Sequence, residues 1–405
     1  MNSRSPGHIT NRALYSAFST SLLEAATKYT LFVTRRCNLA CEYCYVGKTD
    51  EAMPFDVATR IVDLAFRNTP GSEDIDIGFF GGEPLLEFRS LEAITRYVES
   101  HPSYDARRVK LSVVTNGTLL TRAVARFLRE HHVGITVSCD GPPAVHDLFR
   151  RFPDGHGSSA AVERGIRAAL AELERVPVNA VYGPATLASL PEVVDHLSSL
   201  GVRQMYLNPD FSARWTERDV ERVPAVYRAL ADRYMRFYRE GRPHFISLID
   251  GKITVMLRGG YQPLERCRMG TGEFAFDPSG RVFPCERLVS GRHEEHAIGV
   301  MGELVQLGPL RNHHAPGPSL NAECEACGVR AYCVNWCGCS NYFMTGHYNR
   351  VGPFLCASER TLLAIAADVV EKLESELGPT FTEHLGGKGV ARSVQEGGRS
   401  CSHRS

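Results

Sequence analysis

Three cysteines fall within eight residues of the stretch RRCNLACEYCYVGK (35–48): Cys37, Cys41 and Cys44. Thiolates this close together hold metal. A structural zinc site takes four ligands, usually as two close pairs, and no fourth ligand stands nearby in the sequence. Thiolates also carry iron–sulfur clusters, in which each of four iron corners needs a ligand. Three cysteines on one loop then leave one corner free for a ligand from outside the chain.

A second field of thiols lies far downstream. Eight of the thirteen cysteines fall between residues 263 and 360. Cys267 is followed by twelve residues, Gly280, four residues and Cys285; then come Cys324-x2-Cys327-x5-Cys333-x3-Cys337, Cys339 and Cys356. One Cys-x2-Cys pair alone fits a zinc ribbon. Cys139 sits in a strand-like run and reads as a small apolar core residue. Cys401 lies in a Gly/Ser-rich tail as an incidental thiol.

Composition bounds the setting. The 405 residues allow two or three domains, with 43% hydrophobic and 23% charged residues. Lys+Arg and Asp+Glu both number 46, so bulk charge points neither to nucleic acid nor to a membrane surface. No run of apolar residues is long enough to span a bilayer. The first twenty residues carry no apolar signal-peptide core. These features argue for the cytoplasm, where thirteen cysteines are better explained by metal than by disulfides.

The elements that must position these groups alternate in period. YTLFV (29–33) reads as a buried strand that runs straight into the first cysteines. Helical spacing covers 55–68, and DIDIGFF (74–80) is a strand ending in GGEP. Further strands are expected at 110–117, 134–141, 176–182 and 202–209, with helices near 85–98, 121–130, 158–174, 190–200 and 216–240. Six strand–helix units imply parallel strands joined by right-handed crossovers. The polar punctuation falls after the strands, where barrels of this kind place their chemistry. Six units do not close an eight-stranded barrel. The expected fold is therefore α/β, a partial (β/α)6 TIM-like barrel with a C-terminal Cys-rich domain. Its expected parts are an N-terminal segment (1–28), the barrel (29–225), a bridging helical region (226–262), the Cys-rich domain (263–360), a helix (361–384) and a disordered tail (385–405).

Cys37, Cys41, Tyr43 and Cys44 resemble the radical S-adenosylmethionine (SAM) superfamily, and the later cysteines resemble its SPASM module, which carries auxiliary iron–sulfur clusters. The resemblance spans about 29–360. It implies that the amino and carboxylate groups of SAM take the open corner of a 4Fe–4S cluster. An electron from the cluster would then break SAM to a 5′-deoxyadenosyl radical that takes a substrate hydrogen. Gly81, Gly82, Glu83 and Pro84 match the family segment that contacts the SAM amino group. The glycines allow close backbone approach, and Glu83 can accept from an ammonium. Asn116, Ser138 and Asp140 match family segments at strand ends near cofactor or substrate, although Asn-Gly and Asp-Gly also favour plain turns. HDLFR (146–150) is family-like and equally fits a solvated helix start.

The same resemblance implies two auxiliary 4Fe–4S clusters, three clusters in all. Cys324, Cys327, Cys333 and Cys356 form a complete set. Cys267, Cys285 and Cys337 form a set of three, because RMGTGEF (268–274) lacks the thiol that some relatives carry there. Cys339 completes this set, or its open iron accepts a substrate thiolate. Glu286, after Cys285, stands where sulfatase-maturing members have an aspartate base; a carboxylate there can accept a proton, or it is a surface group in a turn.

The implied activity is oxidation or crosslinking of a residue in a ribosomally synthesised peptide. The implied partners are that precursor peptide, an electron donor such as flavodoxin or ferredoxin, and a separate leader-recognition protein, since 28 residues leave no room for such a domain. A small-molecule dehydrogenase and a sulfatase-type maturase are the catalytic alternatives; a zinc-binding interaction module is the noncatalytic one. NPDFSARWTERD (208–219) either faces the substrate or covers the barrel.

Overall fold

The computed structural model describes residues 26–289, 294–301 and 319–384. The expected tail, with Cys401, and most of the N-terminal segment lie outside these residues. The first half alternates as its periodicity requires: β1 (Ala26–Thr34), α1 (Phe55–Asn68), β2 (Asp74–Gly81), α2 (Phe88–Ser100), β3 (Val109–Thr115), α3 (Arg122–Glu130), β4 (Val133–Ser138), α4 (Pro143–Phe149), α5 (Ser159–Leu170), β5 (Val178–Tyr182), α6 (Leu190–Ser199) and β6 (Gln204–Pro209). Each of the β1–β6 pairs is parallel, and buried apolar residues on the crossover helices, such as Ile61, Leu91 and Ile166, cover the outer face. Leu31, Ile77, Val113, Val137 and Ala180 belong to the same core.

The second half extends this sheet at both edges. α7 (Glu217–Arg239) opens on a capping box in which the Thr216 hydroxyl accepts from the Asp219 N–H and the Asp219 carboxylate accepts from the Thr216 N–H. The expected boundary at 225/226 therefore falls inside a continuous helix. β7 (Phe245–Ile246) pairs with β6, and α8 (Ser247–Leu257) follows. β8 (Glu273–Phe276) then returns to the other edge and pairs in parallel with β1, while β9 (Arg281–Phe283) and β10 (Gly299–Val300) continue as antiparallel strands. The order is β10-β9-β8-β1-β2-β3-β4-β5-β6-β7. The Cys-rich region thus starts on the barrel's own sheet. The buried Arg35 guanidinium locks this join by donating to Asp277 at 3.1 Å.

Three short helices and a long one complete the described residues: α9 (Ala322–Glu325), α10 (Gly338–Thr345), α11 (Pro353–Leu377) and α12 (Pro379–His384). The helix expected from 361 begins eight residues earlier because Pro353 occupies its first turn, where no amide N–H is needed. Cys356 consequently lies on α11. No helix among the described residues is long and apolar enough to cross a membrane.

Candidate active site

The loop between β1 and α1 carries the first three cysteines to the C-terminal end of the sheet. Two glycines seat it there. Gly81 has φ +140°, and a Cβ on it would lie 2.1 Å from the Thr34 carbonyl oxygen; a Cβ on Gly82 would lie 2.0 Å from that of Arg36. The Gly82 N–H donates to Thr34 O at 2.8 Å and the Glu83 N–H to Arg36 O at 2.8 Å. The close approach that the glycines permit is therefore to the backbone leading into Cys37.

Glu83 lies behind the wall. It is fully buried. One carboxylate oxygen accepts from the Leu85 N–H at 3.0 Å and the Thr115 hydroxyl at 2.6 Å, and the other accepts from the Asn116 N–H at 2.6 Å. These bonds tie both oxygens to the β3 end and the turn after Gly82, and the oxygen bonded to Asn116 alone retains one acceptor site. Burial pushes its carboxyl above the usual range, against the pull of those donors. Pro84 is buried beside it.

A cavity of about 350 Å³ opens over the strand ends. Its wall holds Cys37, Cys41, Tyr43, Cys44, Gly81, Gly82, Asn116, Ser138 and Glu286. Of the expected residues, Glu83, Pro84 and Asp140 are absent from this lining. Asp140 acts from behind: it accepts from the Tyr43 hydroxyl, from Arg150 Nε at 2.8 Å and from the Val181 N–H at 2.9 Å. The Arg150 guanidinium lies 5.2 Å from the Tyr43 ring centre. HDLFR is no solvated helix start, since His146 is fully buried with Nδ1 accepting from the Asp140 N–H at 3.2 Å and Nε2 paired with the Ser158 hydroxyl at 2.9 Å.

The far wall comes from the Cys-rich region. Glu286 is no surface carboxylate: one oxygen accepts from Lys28 Nζ at 2.7 Å and from the Thr30 hydroxyl at 3.3 Å. Burial pushes its carboxyl up, but Lys28 and Thr30 outweigh this and hold it below the usual range. Burial likewise opposes the Lys28 charge, and Glu286 with Glu273 keeps that ammonium protonated. NPDFSARWTERD divides between the cavity and the packing around it. Asn208, Pro209, Asp210 and Ser212 line the cavity, while Trp215 stacks on Phe354 at 3.6 Å. Arg150 and Arg287 also line it. Arg287 carries no sequence signal of its own, because the rings that frame it, Phe211 and Phe343, come from distant positions.

The later cysteines gather into two groups. Cys267, Cys285, Cys337 and Cys339 pack around Met269 and Leu288, with the sulfurs of Cys337 and Cys339 3.8 Å apart. Cys324, Cys327, Cys333 and Cys356 line one small pocket with Arg330 and Arg360. Cys139 is buried in the barrel core. Burial pushes the thiols of Cys37 and Cys267 up to about 11 and that of Cys333 to about 12. Such thiols keep their protons until a metal replaces them. Three thiols facing one cavity fit a cubane cluster with one open corner.

Comparison with known proteins agrees with this layout. The model of the Radical SAM superfamily matches residues 31–197. The serine-type anaerobic sulfatase-maturating enzyme of Klebsiella aerogenes is 27% identical over 327 residues, 74% of this chain and 76% of its own. The fold is that of native anSMEcpe with bound AdoMet and Cp18Cys peptide, with a TM-score of 0.73 at 19% identity over 87% of this chain and 99% of that one. Streptococcus suis SuiB bound to precursor peptide SuiA gives 0.58 at 14% identity, over 88% and 84%.

Proposed function

We propose that this chain, a radical SAM enzyme homologous to the anaerobic sulfatase-maturating enzymes, removes hydrogen from a residue of a ribosomally made peptide or protein and leaves it oxidised or crosslinked. The observation that carries this reading is one cavity whose wall joins Cys37, Cys41 and Cys44 to Asn116 and Ser138 on the barrel side and to Glu286 on the other. A 4Fe–4S cluster with SAM at its open corner supplies, when bound there, a carbon radical that takes a hydrogen atom. Tyr43, Gly81, Gly82, Asn116 and Ser138 shape the wall against SAM, with Glu83 and Asp140 bracing them from behind. Glu286 keeps a carboxylate toward the cavity, available to accept the proton that the substrate sheds.

The cysteine groupings support two auxiliary clusters, one on Cys267, Cys285, Cys337 and Cys339 and one on Cys324, Cys327, Cys333 and Cys356, which carry off the second electron. A flavodoxin or ferredoxin serves as donor, and a separate protein recognises the leader. Relatives whose structures hold a bound peptide favour a peptide substrate. The deciding experiment is anaerobic reconstitution with SAM and a reductant, scoring deoxyadenosine and the masses of candidate peptides. About 12 irons per chain are expected for three cubanes, and SAM cleavage is lost when Cys37, Cys41 and Cys44 become Ala. Zinc content without SAM cleavage would overturn the reading. Maturation of a sulfatase residue is the second reading, favoured by the extent of the Klebsiella match. A sulfatase-derived peptide assayed beside precursor peptides separates the two.

A further inference from the structure

Two cations in the cavity wall, Lys48 and Arg287, form no ion pair among the described residues. The wall carries Lys48, Arg150 and Arg287 as cations, and Asp210 and Glu286 as anions. Arg150 is spent on Asp140 at 2.8 Å. Lys48 is exposed and donates to the Leu39 carbonyl. One oxygen of Glu286 pairs with Lys28 at 2.7 Å, and Asp210 accepts from the Ser212 N–H at 2.9 Å and from its hydroxyl at 2.5 Å. Arg287 is half-buried. Its guanidinium reaches the Ser340 hydroxyl at 3.4 Å, and among the described residues it forms no ion pair.

The side chain is nevertheless held in place. Its guanidinium carbon lies 5.1 Å from the Phe211 ring centre and 5.6 Å from that of Phe343. One ring comes from the loop after β6 and the other from α10, so Arg287 sits where barrel and Cys-rich region meet over the cavity. Contacts with ring faces satisfy the cation's plane and leave its N–H edge for an acceptor. That edge is a planar fork matched to a carboxylate, and a half-buried charge is costly without a partner.

We propose that Arg287 receives a carboxylate of the substrate. The assignment rests on the peptide reading above and adds to it that the modified residue lies beside an acidic side chain. A terminal carboxylate has the same chemistry, and a cluster on Cys285, Cys337 and Cys339 is the competing neighbour, because Ser340 adjoins Cys339.

The test uses random peptide libraries, one amidated and one with free C-termini, retained on the reconstituted full-length protein with SAM. Wild type should enrich Asp and Glu about tenfold or more in the amidated library, as a charge-assisted pair implies. R287K should weaken the bias, because a lysine keeps the charge but not the fork, and R287Q should lose it. R287M replaces R287Q if iron content or circular dichroism shows that R287Q fails to fold. Retention confined to the library with free C-termini, without Asp or Glu enrichment, supports the carboxylate and assigns it to the chain end. Peptides retained from the amidated library without acidic bias overturn the assignment and leave the peptide reading standing. No retained peptide in either library overturns both. A bias unchanged in R287Q, with a shifted midpoint potential of an auxiliary cluster, assigns Arg287 to the cluster instead.

Discussion

Lys28 and Glu286 meet at 2.7 Å although 258 positions separate them in the chain. The first strand of the barrel thereby orients a carboxylate that the Cys-rich region supplies. The pair has two consequences of different size, one for stability and one for turnover.

The Glu286→Gln variant removes the charge and keeps the shape. The two side chains are 35% and 26% exposed, so the stability lost is about 1 kcal/mol rather than the 3–5 of a fully buried pair. Peptide turnover should fall by about 100-fold, as for loss of a positioned base. A Lys28→Met/Glu286→Leu double variant should recover the melting temperature without recovering turnover. Full turnover in the Gln variant would remove Glu286 from the mechanism.

Replacing Cys339 with Ala should lower the iron content by about four per chain, one cubane of about 12 irons in all. Its sulfur stands 3.8 Å from that of Cys337. Cys139→Ala, altered in the barrel core, should lose none. Iron and acid-labile sulfide assays on both variants decide the matter. Iron retained in full by the Cys339 variant would point to an external fourth ligand, such as a substrate thiolate.

Gly82→Ala should unseat the first cysteine loop. The added Cβ would meet the Arg36 carbonyl oxygen at 2.0 Å, so the backbone must move. A loss of about 2 kcal/mol or more in denaturant unfolding is expected, together with weaker cluster retention at Cys37, Cys41 and Cys44. An unchanged denaturation midpoint and iron content would show that the loop tolerates the shift.

Acid should destabilise the protein through two histidines. Burial pushes both His146 and His244 down to about 4, below their ordinary value of about 6.5. Above about 6.5 both are neutral in either state, and their contribution is complete. As pH falls from there toward 4, the unfolded chain gains protons that the folded one refuses, and stability drops by up to about 3 kcal/mol per histidine. Glu286, held low by Lys28, loses its contribution further down, as pH falls below about 4.3 and through its lower folded value. Denaturant midpoints of wild type and His146→Asn between pH 7 and 5 measure the first part. A variant as pH-sensitive as wild type would exclude His146.

Much of this was legible from spacing. The helix at 55–68 and the six parallel strands follow from apolar period, and the first cysteine group follows from its short spacing; the division of the later cysteines into two sets follows only from the family resemblance. Other relationships leave no local trace. β8 and β9 are short apolar stretches, but the place of β8 beside β1 depends on a register between residues 28 and 273. GGEP marks the site, yet whether Glu83 faces a ligand or the backbone depends on burial alone. Arg287 adjoins a singled-out residue, and its role rests on rings at 211 and 343.

The parallel seam between β1 and β8 also bears on how the protein is made. β1 leaves the ribosome early and gains β2 soon afterwards, but its other edge waits for residues near 273. Until then Tyr29 and Leu31, buried in the finished sheet, border an unpaired edge of the kind that recruits other chains. The loop bearing Cys37 continues from that same unfinished strand. Iron delivered during synthesis would meet its first ligands before the sheet that seats them is complete, so cluster insertion is expected to follow release of the whole chain.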